Sequence, residues 1–274
     1  MPKLTELASS RELLANLTLR ELRGKYKRSV LGWTWSLLNP LATMAIFTFV
    51  FRLFLKIQPP VGDPSGLHNF AFFLLCGLLP WNFLANGMSG AIGMLVANGN
   101  LIKKVYFPRE ILVAASVLSW DVSLLIELGV LAVALLIVGS MVLPWLPVVL
   151  LLVVVLSVFV LGVGLGLSVL NVYFRDVQHF LAIFMQLWFY ATPVVYPISY
   201  VPERADVLGL DIPVRTLYDL NPMVRFVGAF RNCLYDLRFP ALADLAYMCA
   251  AALISLAIGA ALFNRLEPRL AEEL

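Results

Sequence analysis

At 274 residues, 61% hydrophobic and only 14% charged, the chain departs from soluble domains, which average roughly 45–50% apolar and about 25% charged. It reads as an integral membrane protein with room for six or seven helices at about 20 residues per crossing. A net charge of +3 is too small to point to nucleic acid. Cys76, Cys233 and Cys249 show no CxxC spacing, which supports neither a disulfide framework nor a metal site.

The first 35 residues are polar and basic, without a short apolar core ending in a cleavage site. The first span is therefore expected to act as the targeting signal. Residues 9–28 predict an amphipathic helix on the membrane surface. Ser9-x-x-Glu12 fits a capping box. Leu13, Leu14, Leu17 and Leu22 share one side, and Asn16, Arg20, Arg23 and Lys27 form a polar stripe. That stripe suits anionic lipid alone or a partner protein docked on it as well. Gly24 marks a place for the helix to bend or end. A hinge, Gly32-Trp33-Thr34-Trp35, and then Asn39-Pro40 lead into an apolar run. A basic cluster, interfacial tryptophans and a span anchor a chain at a cytoplasmic face.

Six spans are expected: about 36–55, 70–96, 111–138, 145–172, 177–195 and 241–263. Arg52 and Lys56 snorkel at the far end of the first. Pro80 should kink or break the second. Gly162, Gly164 and Gly166 allow close helix packing in the fourth. A short polar loop, Asn98 to Glu110, separates the second and third spans. Residues 196–241 carry five prolines, five arginines and five acids. They read as short helices at the outer interface, with their backbone satisfied by protein or a water-filled cavity. Thirteen Lys and Arg residues fall on the N-terminal side and seven on the other, which places both termini in the cytoplasm. Residues 1–35 form the cytoplasmic interfacial helix, 36–265 the six-span bundle and 266–274 a cytoplasmic tail, all within one permease domain.

There is no G-x-x-x-x-G-K-[ST] phosphate loop, and His68 and His179 stand alone. Asp121 and Glu127 fall deep in the third span, too far apart around the helix to pair. Ser116, Ser119 and Ser123 are placed to solvate Asp121. Interhelical hydrogen bonding, a polar pathway wall and a proton relay are the readings for these acids. Aromatic residues concentrate in the second span (Phe72, Phe73, Trp81, Phe83) and on the fifth and its exit (Trp188, Phe189, Tyr190, Tyr196, Tyr200). They read as core and belt residues or as a ring-lined pathway, since aromatic faces stack on the C–H faces of sugars.

The ordered motifs resemble one family. They are LRGKYKRSVLGWTWSLLNPL (22–41), GLLPWNFLANGM (77–88), NGNLIKKVYFPRE (98–110), NVYFRDV (171–177), TPVVYP (192–197) and LNPM (220–223). Together they are similar to the membrane subunit of type-2 ABC exporters of lipid-linked polysaccharide, which include O-antigen, teichoic acid and mycobacterial galactan exporters. The resemblance runs from about residue 10 to 265. It implies an all-α integral membrane protein with six transmembrane helices, an N-terminal interfacial helix and external gate helices between spans five and six. It implies a homodimer in a bacterial inner membrane. A separate ABC subunit would bind ATP and Mg, and this chain would hold no cofactor and have no catalytic residue of its own.

By the same resemblance, Asn100, Leu101, Lys103, Lys104, Tyr106, Pro108 and Arg109 belong to the ATPase-coupling region. Tyr173, Arg175 and Asp176 form a second cytoplasmic loop. Arg20, Arg23, Lys27, Arg28, Trp33 and Trp35 flank the cytoplasmic entrance. Phe72, Phe73, Trp81, Trp188, Tyr190 and Tyr196 are candidates for lining a channel between the two copies. The rival readings are a type-2 permease for a small lipid or drug, and an ion-coupled carrier using Asp121 or Glu127.

Overall fold

The computed structural model describes residues 10–25, 32–50, 60–207 and 210–274. The first helix, α1, is Arg11–Lys25. Its apolar side is the one the leucine spacing predicts: Leu17 and Leu22 are buried, and Leu13 and Leu14 pack against the core. Gly24 is the next-to-last residue of this helix. Ser9, Lys27, Arg28, Arg52, Lys56 and the outer end of the expected first span lie outside the described residues. After a turn at Gly32–Thr34, α2 occupies Trp35–Thr48.

Helix α3, Phe70–Ala97, is the most enclosed element, with α5, α6 and α9 against it. Asn69 caps it, accepting from the Ala71 amide at 2.9 Å. The helix runs unbroken through Pro80. A proline inside a helix costs about 3 kcal/mol or more. Here the burial of both flanking turns, from Phe73 to Leu84, offsets that cost.

A short helix, α4 (Gly99–Lys104), and the loop to Arg109 lead into α5, Glu110–Ile137. Helix α6 is Leu146–Tyr173 and α7 is Val177–Tyr190. The fifth apolar segment thus stops five residues before the expected 195. Pro193 lacks an amide proton and disfavours helix at the residue before it, so Thr192–Tyr196 forms turns instead.

The 196–241 stretch contains two short helices, α8 (Val214–Leu220) and α9 (Pro222–Arg231). It also holds a three-residue antiparallel ribbon, β1 (Ala205–Val207) with β2 (Leu210–Ile212). A turn of π-helix, Asn232–Asp236, follows α9. Apart from that ribbon the described residues form helices, turns and irregular connections. Helix α10, Leu242–Leu266, and the short α11, Leu270–Glu273, finish the chain.

Among the described residues, four helical stretches are long and apolar enough to cross a membrane: Phe70–Ala97, Glu110–Ile137, Leu143–Tyr173 and Leu242–Arg269. The described parts of α2 and α7 have 14 residues each, short of the roughly 20 a crossing takes. The tightest seam joins α6 to α10. A side chain at Gly259 would run into the Gly162 carbonyl, and one at Gly162 into the backbone of Ser255 and Leu256. Gly164 serves the opposite neighbour, where an added Cβ would sit 2.9 Å from the Ala91 methyl on α3. The glycine trio therefore packs two seams.

Candidate functional site

Asn98 to Arg109 projects from one end of the bundle. Ile102 is buried and roots α4, while Asn100, Lys103, Lys104 and Val105 are exposed and Leu101 and Pro108 are half-buried. Tyr106 is 97% exposed, beside a recess of about 490 Å³ formed by residues 102–107 and Arg109. A tyrosine with its whole ring in solvent gains nothing from its own fold, and aromatic residues are enriched where partners dock.

This end is braced from behind. Arg20 donates to Asn98 Oδ1 at 2.8 Å, and Asn98 Nδ2 donates to the Met94 carbonyl at 2.9 Å. The first helix and the loop are thus tied together. Arg109 donates to the Glu267 carbonyl at 2.7 Å, and the Tyr173 hydroxyl to the Leu266 carbonyl at 2.9 Å. Both satisfy carbonyls left over at the C-terminus of α10. Arg175 and Asp176 are exposed beside them. The α4 loop and the 173–176 loop therefore converge on the turn after α10, which the sequence suggests is a plain tail, while α1 is tied to the same end through Asn98.

Lys25 was not singled out from the sequence. Its ammonium donates to the Ser119 carbonyl at 2.9 Å and sits 3.4 Å over the Trp120 ring. Burial pulls it down to about 7, against the pull of the nearby Glu127, Glu21 and Asp121 carboxylates. The serines expected to solvate Asp121 do other work: Ser119 and Ser123 donate back to Ser116 and Ser119 carbonyls. Asp121 instead accepts from Ser157 on α6 at 2.5 Å, an interhelical bond. Of the other entrance candidates, Arg23 and Trp35 are exposed and Trp33 lies in the turn before α2.

The opposite end is built differently. Asn221, of the LNPM motif, uses its whole amide. Its Oδ1 accepts from Trp188 Nε1 at 2.8 Å and from the Met223 amide at 3.0 Å, capping α9. Its Nδ2 donates to the Ala191 carbonyl at 3.1 Å and Thr192 Oγ1 at 3.0 Å. Arg231 is 8% exposed and donates to the carbonyls of Phe73, Pro193 and Val194. Its guanidinium lies 3.8 Å over the Phe73 ring. Burial pulls it down to about 10, so it stays charged at neutral pH. The TPVVYP and LNPM motifs meet here, Asn221 reaching Thr192 across 29 residues of chain, and Arg231 holds the TPVVYP backbone beside them.

The six aromatic candidates divide. Phe73 and Trp81 are buried within this chain, Trp81 edge-on to Trp188 at 6.0 Å and to Phe189 at 5.5 Å. Phe72, Trp188 and Tyr196 are half-buried. The Tyr196 hydroxyl donates to the Tyr190 carbonyl at 2.6 Å. Tyr190 itself is 63% exposed. Among the described residues no group of three His, Cys, Asp or Glu side chains is placed to hold a metal ion.

Residues 12–235 match the model of the family described as ABC-2 type transporter. The chain is 31% identical to the O-antigen export system permease protein RfbA of Myxococcus xanthus, across 98% of both chains. It is 29% identical to a Klebsiella pneumoniae protein of the same name, across 95% of this chain and 94% of that one. Similarity extends at 25% identity to the polysialic acid transport protein KpsM of Escherichia coli, across 92% of each. With its apolar spans and ordered motifs matched over nearly its whole length, the chain belongs to the ABC-2 type transporter family.

Proposed function

We propose that this chain is the transmembrane subunit of an ATP-driven exporter that moves a lipid-linked polysaccharide out across a bacterial inner membrane. The observation that carries the reading is the α4 end: exposed Lys103, Lys104 and Tyr106 beside a recess, rooted by Ile102 and braced by Arg20 and Arg109. A surface braced behind and exposed in front suits a partner that pushes on it. The relatives named as O-antigen and polysialic acid permeases supply the substrate class.

In this reading all 274 residues form one permease domain with six spans, α2 and α7 supplying the first and fifth. Both termini are cytoplasmic. The partner is a separate ABC subunit that binds ATP and Mg and docks on α4 and on Arg175 and Asp176. Its closure pulls the two α4 loops of a homodimer together, and α3 and α5 carry the movement as rigid bodies. Arg20 and Lys25 make α1 travel with them. The glycan passes between the two copies, past α7. On that helix Gln186 and Tyr190, one turn apart, are exposed beside Ile183 and Leu187. An exposed amide at that depth is costly against lipid and is satisfied in a hydrated seam. Residues 197–240 then form the external gate.

The test is a strain lacking this gene. Glycan should accumulate inside it and return to the surface with the wild-type chain. It should stay inside with Lys103→Glu/Lys104→Glu, although that variant still purifies with its ABC partner or at wild-type yield alone. Surface glycan in the deletion strain at wild-type levels would sink the proposal.

A further inference from the structure

A cavity of about 320 Å³ opens at the end of the bundle opposite α4, and its walls are built rather than incidental. One wall is the loop before α3, carrying Val61 and Asp63. It is fixed by Tyr235, whose hydroxyl lies 2.9 Å from the Pro60 and Leu67 carbonyls, and by Ser65, which donates to the Tyr235 carbonyl. The other wall is Pro193–Ser199, held by Arg231 and by Arg215, which donates to the Ile198 carbonyl at 2.9 Å. The floor is α9, where Gly228 leaves open space: an added Cβ would meet no atom within 4 Å. Glycine in a helix costs about 1 kcal/mol relative to alanine, and at this position the room it leaves is the cavity.

The chemistry of the lining is mixed and balanced. Asn232 Oδ1 accepts from Arg238 at 3.0 Å, and Arg238 pairs with Asp236 at 3.4 Å, so three planar polar groups run along the rim. Asp63 and Arg231 bring the count to two carboxylates and two guanidiniums. An anion would meet Asp63 and Asp236, and a cation would meet the arginines. A neutral polyol meets both donors and acceptors, with Val61, Pro197 and Ile198 as apolar cover for ring C–H groups. Small-molecule sites run about 300–1,000 Å³, so the volume fits a short saccharide segment and not a coiled polymer.

We propose that this cavity is a saccharide-binding site that holds a sugar unit of the exported glycan as it leaves the bundle. The inference rests on the exporter reading for the source of its ligand. A free sugar outside the cell has the same chemistry, and the test separates the two.

The probe is oligosaccharide released by mild acid from the glycan that accumulates in the deletion strain, presented to the purified complex with its ABC partner and followed by saturation-transfer NMR. Wild-type complex should bind it. Gly228→Trp, whose Cβ starts in open space and whose ring adds bulk beside α9, should abolish the signal and slow surface appearance of glycan. Asn232→Leu should weaken binding about tenfold, as expected for one or two lost hydrogen bonds, and carries the test if the tryptophan variant does not fold. Glycan that accumulates but binds equally to wild type and both variants overturns the site and leaves the exporter reading standing. Binding lost with export rate unchanged makes it a site for free sugar and overturns the proposal. A deletion strain that accumulates no glycan removes the exporter reading, and this inference with it.

Discussion

The two ends of α3, about 40 Å apart for 28 residues at 1.5 Å each, are held together in opposite ways. At the Phe73 end, Arg231 and Asn221 make seven hydrogen bonds to backbone and side chains of this same chain. At the Asn98 end, Lys103, Lys104 and Tyr106 reach outward, and internal bonds appear only behind them. Polar groups that are buried must be satisfied internally; polar groups left outside are free to meet something else. At the first end the buried polar groups are satisfied by the chain itself, and at the second the exposed ones are left for another molecule.

The contrast is broken most severely at Arg231. Arg231→Met leaves the Pro193 and Val194 carbonyls without their donor, and hydrogen bonds to charged groups are worth about 1.5–3 kcal/mol each. Loss of roughly 3–5 kcal/mol should follow, seen as failure to purify as a monodisperse species. Arg231→Lys should not rescue it, because one ammonium lacks the planar fork that spans three carbonyls. Next comes the α6–α10 seam: Gly259→Leu drives a side chain into the Gly162 carbonyl and should lower the melting temperature sharply, since overpacking costs about 1–3 kcal/mol even where neighbours can shift. Asn221→Asp keeps the acceptor oxygens and loses both donated bonds, for about 1–3 kcal/mol. Smallest on this scale is Lys103→Glu/Lys104→Glu, which should leave the melting temperature unchanged while export is lost. A stability loss there as large as at Asn221 would erase the distinction between the ends.

Much of the fold was readable from the sequence, for reasons that also explain what was not. The apolar runs that became α3, α5, α6 and α10 are long enough that only a membrane accounts for them. The leucine face of α1 followed from its spacing. Gly162 was readable as a close approach, but its partner Gly259 lies 97 residues away and carries no signal of its own. Arg231 looked like one more charge in a proline-rich stretch, because its acceptors are carbonyls, two of them contributed by Pro193 and Val194, and a carbonyl has no residue type to recognise. The apolar run of the fifth span outlasts its helix by five residues, because Ala191–Val195 is as apolar as the helix before it and only Pro193 marks the stop. Ser116, Ser119 and Ser123 stand close to Asp121 in sequence, yet its partner Ser157 is on the next helix. The α4 loop was legible as a motif, while the bracing by Arg20 and by the C-terminal turn was not, since Arg20 and Asn98 are 78 residues apart.

The central claim, that the α4 end is completed by an ABC subunit which drives export, meets its most direct test in one measurement. Purified chain and its ABC partner are reconstituted in vesicles with the lipid-linked glycan that accumulates in the deletion strain, and ATP-dependent movement of that glycan is recorded for wild type and for Lys103→Glu/Lys104→Glu. The account predicts transport by the wild type only when the ABC subunit and ATP are both present, and none by the variant. Transport by this chain alone, or undiminished transport by the variant, would contradict it.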